Sequence, residues 1–222
     1  DECGNANVIV ITAGVNQQPG ETRLALVERN AAIIKSIIKQ IMASGFDGII
    51  VVASNPVDII TYIAMKESGL PASRVIGSGT TLDTARLRSN LSEYFNVDAR
   101  NVHTYIMGEH GDTSFPTWSH CTIASQPIQE YIAKHGDKYN TSDLDELFTS
   151  ARDAAYYIIE RKRATYFGIG MCVARIAKAI PNNERAILPV AVYMDGIYGQ
   201  TDVYSSTPAV VSRKGIEEVI EL

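Results

Sequence analysis

Two short apolar runs constrain what this chain can fold into more than any other feature. Val8, Val10 and Ile11 form one run, closed by Thr12-Ala13-Gly14. Gly48-Ile49-Ile50-Val51-Val52-Ala53 forms the other, closed by Ser54-Asn55-Pro56. Each is strand-length and rich in β-branched residues, which suit an extended, pleated backbone. From about Thr22, Leu26, Ile33, Ile34, Ile37, Ile38, Ile41 and Met42 recur at helical spacing until Gly45, which predicts a helix between the strands. A second helix (Val57, Ile60, Ile63, Ala64) is predicted after Asn55-Pro56, with Asn55 as its cap, ending at Gly69 and Pro71. A strand apolar on both faces must be covered on both faces. Strands of that kind alternating with helices imply an α/β fold around a parallel sheet.

In such a sheet ligands gather beyond the carboxyl ends of the strands. The loops Gly14–Arg23 and Ser54–Pro56 both leave carboxyl ends, so Gln17, Arg23 and Asn55 are expected on one edge. The pattern changes near Gly77. A helix is expected from about Thr81 to Tyr94, then a strand Val102–Met107, then helices over roughly Leu144–Lys162 and Thr165–Ile180. The tail alternates and turns at Asp195-Gly196 and Tyr198-Gly199, which predicts antiparallel strands. This divides the chain into a sheet-forming part, residues 1–77, and a mixed α+β part, residues 78–222.

A net charge of −5 excludes a generally cationic surface for nucleic acid or anionic membrane. An anionic ligand must therefore be drawn by local arginines. Cys3, Cys121 and Cys172 are odd in number and far apart, as expected of reduced, mostly buried thiols in a cytoplasmic protein. No apolar run has membrane-spanning length. The abrupt start at Asp1 and end at Leu222 suggest an interior piece of a longer protein.

Chemistry concentrates in two segments. In Leu82-Asp83-Thr84-Ala85-Arg86-Leu87-Arg88, at the head of a predicted helix, Asp83 and Arg86 stand roughly 60° apart and share a face. Arg88 lies about 200° from Arg86 and points elsewhere. In Met107-Gly108-Glu109-His110-Gly111-Asp112-Thr113-Ser114, a histidine leaves a strand end between two glycines. A carboxylate can orient such an imidazole, while a guanidinium can hold a substrate carboxylate by two parallel hydrogen bonds. Asp83 could instead serve only the helix dipole, and the arginines only solvation. His120 is expected to pack in the second part, His135 to sit in a polar loop, and Trp118 to be a core or interface aromatic. Glu109 and Asp112 are expected to shape the turn, and Asp143 to start a helix. No GxSxG elbow accompanies the histidine, and no second histidine lies at metal-ligand spacing from it, so a metal site is not expected.

Taken together, AGVNQQPGETR, SNPVD, LDTARLR and GEHGDT resemble the L-lactate dehydrogenases of the lactate/malate dehydrogenase superfamily, in the same order and along the whole chain. The resemblance implies the C-terminal half of a Rossmann-type sheet followed by a substrate domain, with the GxGxxG half and the family's last helix outside this sequence. It implies NAD as cofactor and pyruvate and lactate as substrates, in the chemistry of anaerobic glycolysis and fermentation. His110 would exchange the proton, Asp83 would orient it, Arg23 would close over the substrate, and Arg86 would grip the substrate carboxylate. Gln17 and Thr165 would line the substrate pocket, Asn55 would serve substrate and cofactor, and Gly14, Ser78 and Ile169 would serve the cofactor. Malate dehydrogenases place an arginine where Gln17 stands, so a neutral amide favours a monocarboxylate over oxaloacetate. Arg88 and His103 correspond to a fructose 1,6-bisphosphate site of bacterial relatives, and a tetramer is implied. The alternatives are a malate or other 2-hydroxyacid dehydrogenase, or a non-catalytic assembly subunit. Without the GxGxxG half, the isolated piece is expected to bind NADH weakly.

Overall fold

The computed structural model describes residues 2–15 and 23–222, and the backbone alone of Glu2, Arg23 and Leu24. Strand β1 (Val8–Ile11), helix α1 (Arg23–Ala43), β2 (Ile49–Val52), α2 (Val57–Ser68) and β3 (Val75–Gly77) alternate in the first third. All three strands run parallel, with Val10 beside Val51 and Val51 beside Ile76. The two faces of β2 show why its sequence is apolar throughout. Ile50 and Val52 enter a core with Ile34, Ile38, Val57 and Ile60 of α1 and α2. Ile49 and Val51 point the other way, into a second core with Ile176 and Ala179. Val10 is exposed, because β1 is the edge strand among the described residues.

Helix α3 (Thr81–Phe95) follows β3, and four short strands come next: β4 (Val102–His103), β5 (Ile106–Met107), β6 (Phe115–Pro116) and β7 (Thr122–Ile123). The run Val102–Met107, expected as one strand, is therefore two. β4 pairs with β7 and β5 with β6, so the chain changes sheets at Thr104-Tyr105. Strand β8 (Gln126–Pro127) and helices α4 (Ile128–Lys134), α5 (Asp143–Lys162) and α6 (Phe167–Ala179) follow. Leu87, Leu91 and Phe95 of α3 pack with Val102, Ile106, Ile123, Ile128 and Leu144 in a third core.

The tail forms β9 (Ala186–Asp195), β10 (Thr201–Ser212) and β11 (Gly215–Val219), antiparallel as expected. They extend the first sheet, whose order is β1-β2-β3-β9-β10-β11. The crossing rests on close backbone approach at Gly79. Its φ is +52°, and a Cβ there would stand 2.5 Å from the Ala191 nitrogen. Ser78 and the start of α3 are thereby clamped against β9.

Of the smaller expectations, those for Asn55, His120 and His135 need correction, and those for Trp118, Asp143 and the mostly buried cysteines hold. Asn55 does not cap α2: Pro56 holds that position, after a cis Asn55-Pro56 bond. Cys3 is exposed, whereas Cys121 and Cys172 are buried and free, their thiols pushed up to about 11 by burial. His120 is exposed beside Ser119, and His135 ends α4 with its ring 4.6 Å from that of Tyr131. Trp118 packs on the third core. Asp143 starts α5 and also accepts from Tyr94, whose hydroxyl lies 2.6 Å from Oδ2. Asp112 reaches beyond its turn to accept from Tyr156 on α5.

Candidate active site

The His110 loop is held from three directions and by one bond within itself, each through named atoms. Gly108, at φ +93°, turns the chain out of β5 and exchanges backbone bonds of 3.0 and 2.9 Å with Ser206 of β10. Buried Thr80 donates to the carbonyl of Ile106, and buried Thr84 accepts from its amide at 2.9 Å. These two bonds lock the first turn of α3 to the strand that carries the histidine. Within the loop, Thr113 donates to Glu109. Finally, Oδ2 of Asp58, in the first turn of α2, accepts the backbone N–H of His110 at 2.9 Å.

That scaffold sets side-chain distances. Asp83 is 6% exposed, and its Oδ2 lies 2.6 Å from His110 Nδ1, a short charge-assisted bond. With Nδ1–H given to Asp83, Nε2 is the ring nitrogen left to exchange a proton, and the side chain is 28% exposed toward its surroundings. Burial lowers the basicity of the imidazole. The bond to Asp83 and the charges of Asp83 and Asp58 outweigh that loss together with the opposing Arg86, so the pKa is raised above 6.5. Arg86 Nη1 stands 3.6 Å from Asp83 Oδ1, one helical turn along α3. This exceeds a hydrogen bond, so Asp83 does not consume the donors of the guanidinium fork.

The other expected residues fall into groups. Asn30, 1% exposed, accepts the Val15 amide at 2.8 Å and donates to the Asn55 carbonyl at 2.9 Å. It ties the loop after β1, including Gly14, to the loop after β2. Ser78 is buried at the end of β3, its amide 2.7 Å from the Val52 carbonyl. Thr165 precedes α6, and Ile169 lies in its first turn, both half-buried. There α6 meets α3: a Cβ on Gly168 would stand 3.0 Å from Leu82 Cδ1. Arg23 is the first residue of α1 and not part of a free loop, and its side chain lies outside the described residues, as does Gln17. Arg88 is turned away from His110. Its Nε donates to the Thr104 carbonyl at 3.2 Å and its guanidinium lies 5.6 Å from the Tyr105 ring centre, while His103 is exposed.

Reasoning from the sequence missed Asp58 and Asn30. Asn30 was visible as the polar member of an apolar stripe, four residues after Leu26 and four before Ile34. Asp58 gave only the signal of an acid in a first helical turn, which usually means dipole compensation.

A histidine with a carboxylate on one nitrogen, an arginine fork beside it and a parallel-sheet edge behind it fit an acid–base enzyme acting on an anionic substrate. Among the described residues, no cluster of His, Cys, Asp and Glu could hold a metal ion, and no helix is long and apolar enough to cross a membrane. Comparison with known proteins narrows the class. Residues 1–77 match the lactate/malate dehydrogenase NAD binding domain, and residues 80–222 match the alpha/beta C-terminal domain of the same family. L-lactate dehydrogenase 2 of Bacillus cereus is 57% identical over 221 residues, covering 100% of this chain and 70% of the relative. The crystal structure of a minor L-lactate dehydrogenase from Enterococcus mundtii, in its ligands-bound form, superposes with a TM-score of 0.96 at 54% identity, covering 100% of this chain and 70% of that one. An L-lactate dehydrogenase from Clostridium thermocellum superposes with a TM-score of 0.88 at 41% identity, covering 100% and 71%. The chain belongs to the lactate/malate dehydrogenase family.

Proposed function

We propose that this chain carries the catalytic part of an L-lactate dehydrogenase, which interconverts pyruvate and L-lactate with NAD as cofactor. The observation that carries the reading is the 2.6 Å contact between His110 Nδ1 and Asp83, with Arg86 on the same helix face. Residues 1–77 would form the cofactor-binding part, with Gln17 and Arg23 reaching the substrate, and residues 78–222 the substrate part, with Ser78 and Ile169 reaching the cofactor. The edge formed by Gly14, Asn55 and Ser78 fits the nicotinamide end. It lies at the carboxyl ends of three parallel strands, and nothing crowds Gly14 closer than ordinary contact. Gly14, Asn55, Ser78 and Ile169 would hold that end. The hydride for the keto carbon would come from the nicotinamide held there.

The residues do the rest. Arg86 receives the substrate carboxylate in its fork, which aligns the carbonyl with His110. His110 gives the Nε2 proton to the carbonyl oxygen, and Asp83 stabilises the imidazolium until it does. Arg23 polarises the same oxygen, and Thr165 and Gln17 bound the methyl side. A neutral Gln17 offers no partner to a second carboxylate, which favours pyruvate over oxaloacetate.

The chain is further expected to work in the cytoplasm as a homo-oligomer, a tetramer. Tyr157, Phe167 and Met171, exposed by 62%, 85% and 73%, offer apolar surface for such contacts. Arg88 and His103 would bind fructose 1,6-bisphosphate at an interface. The central test is pyruvate-dependent NADH oxidation by this chain joined to the part of the Bacillus cereus relative that lies outside the match. Turnover with pyruvate well above that with oxaloacetate is expected, and the reverse preference overturns the assignment. The chain by itself is expected to turn over slowly.

A further inference from the structure

One half-buried carboxylate near His110, with its Oδ1 atom fully buried, has no place in the scheme above. Asp58 lies in the first turn of α2, with Asp83 on α3 and His110 after β5, so three separate elements converge there. Its Oδ2 accepts the His110 amide at 2.9 Å. Its Oδ1 is buried, and among the described residues no hydrogen-bond partner reaches it. A carboxylate held in that way is costly, because half of its acceptor capacity is desolvated without recompense. Burial pushes the carboxyl up to about 6, against the opposing pull of the His110 N–H bond and imidazole charge, with Glu109 and Asp83 adding repulsion. As a latch alone it is the wrong residue, since an asparagine would accept the same N–H without a buried charge. What the charge does reach is the imidazole: Asp58 raises the basicity of His110, in addition to Asp83 and against Arg86.

We infer that Asp58 is a second acidic positioning residue for His110, holding its main chain from α2 while its negative charge, with that of Asp83, favours the protonated imidazole. The inference deepens the proposed dehydrogenase chemistry and rests on it for its catalytic meaning. Asp83 sets the tautomer and the ring plane, and Asp58 sets the height of the loop and adds potential. One carboxylate acts through Nδ1 and the other through the backbone, so neither can substitute for the other.

The experiment compares Asp58→Asn with the parent chain by NMR titration of the His110 ring. The asparagine keeps an acceptor for the amide and removes the charge. The imidazole should lose proton affinity by about tenfold, the effect of a charge within a few ångströms. An unchanged His110 titration in a folded Asp58→Asn chain overturns the inference. A second arm does not depend on that variant folding. In His110→Gln, the Asp58 carboxyl should become harder to ionise, because linkage between two sites is reciprocal. An unchanged Asp58 titration there also overturns it. In the chimeric enzyme the alkaline limb of the kcat/KM profile for pyruvate, where His110 loses the proton it donates, should move to lower pH in Asp58→Asn, whereas a merely structural role lowers activity equally at every pH. Loss of the reaction in every protein, with the His110 shift intact, refutes the dehydrogenase reading and leaves Asp58 as a partner of His110.

Discussion

Replacing Asp83 by Asn should reverse the sign of the electrostatics at His110. In the native site the imidazole is half-buried, and the loss of solvent alone lowers its pKa, while the Asp83 bond and charge more than compensate. A charge-assisted hydrogen bond contributes about 1.5–3 kcal/mol, which corresponds to roughly ten- to hundredfold in proton affinity. Removing it leaves burial unopposed by its largest counterweight. It also leaves Arg86, 3.6 Å from Asp83 in the native site, as a cation beside the ring with its nearest anion gone. Asp58 alone remains to favour the charged form. His110 should then titrate below its ordinary 6.5 instead of above it. Stability follows with opposite signs. With the folded pKa raised, the native chain holds its His110 contribution fully below the unfolded value near 6.5, and loses it as pH rises through the folded value. In Asp83→Asn the folded pKa is depressed, so this contribution appears as pH rises and is lost as pH falls through the new, lower value. Two readings check this: the His110 ring resonances against pH, and the urea midpoint at pH 5.5 and 8. Pyruvate reduction by the chimera near neutral pH should fall on the order of a hundredfold or more, the scale of a lost general acid. An Asp83→Asn chain whose His110 titrates at or above the parent value refutes the reasoning.

Arg86→Lys keeps the charge but removes the planar fork. Its kcat/KM for pyruvate should fall roughly 30- to 150-fold, as expected when about 2–3 kcal/mol of bidentate contact is lost, measured by initial rates at varied pyruvate. Gly79→Ala places a Cβ 2.5 Å from the Ala191 nitrogen and 2.7 Å from Ser206 Oγ at a positive φ. A loss of about 2–4 kcal/mol in unfolding free energy is expected from urea titration, together with weakened ordering of the His110 loop, because Ser206 also anchors Gly108.

Much of this protein was legible in one dimension because the relevant physics is local. The unbroken apolar run Ile49–Val52 could only be a strand covered on both faces, and the structure covers it with α1 and α2 on one side and α6 on the other. Asp83 and Arg86, three residues apart in a helix, had to share a face wherever that helix lay. The two glycines around His110 marked a turn whatever surrounded it. Other features depend on which distant elements meet. The run Val102–Met107 carries a strand's propensity throughout, yet it divides because its two ends find different partners in β7 and β6. Asn55 had the composition of a cap, and Pro56 took that position instead. The tail had the alternation of antiparallel strands, but only packing on β3 through Gly77 and Ala191 joined them to the first sheet. The bond from Asp58 to the His110 amide spans 52 residues of sequence, and no periodicity encodes it. Periodicity and spacing thus determined the strands, the helices and the pairing of acid and arginine on one face. The packing of α2, α3 and β5 alone decided that two carboxylates would converge on one histidine, because that depends on distances between elements, which side-chain volumes and backbone contacts set in three dimensions.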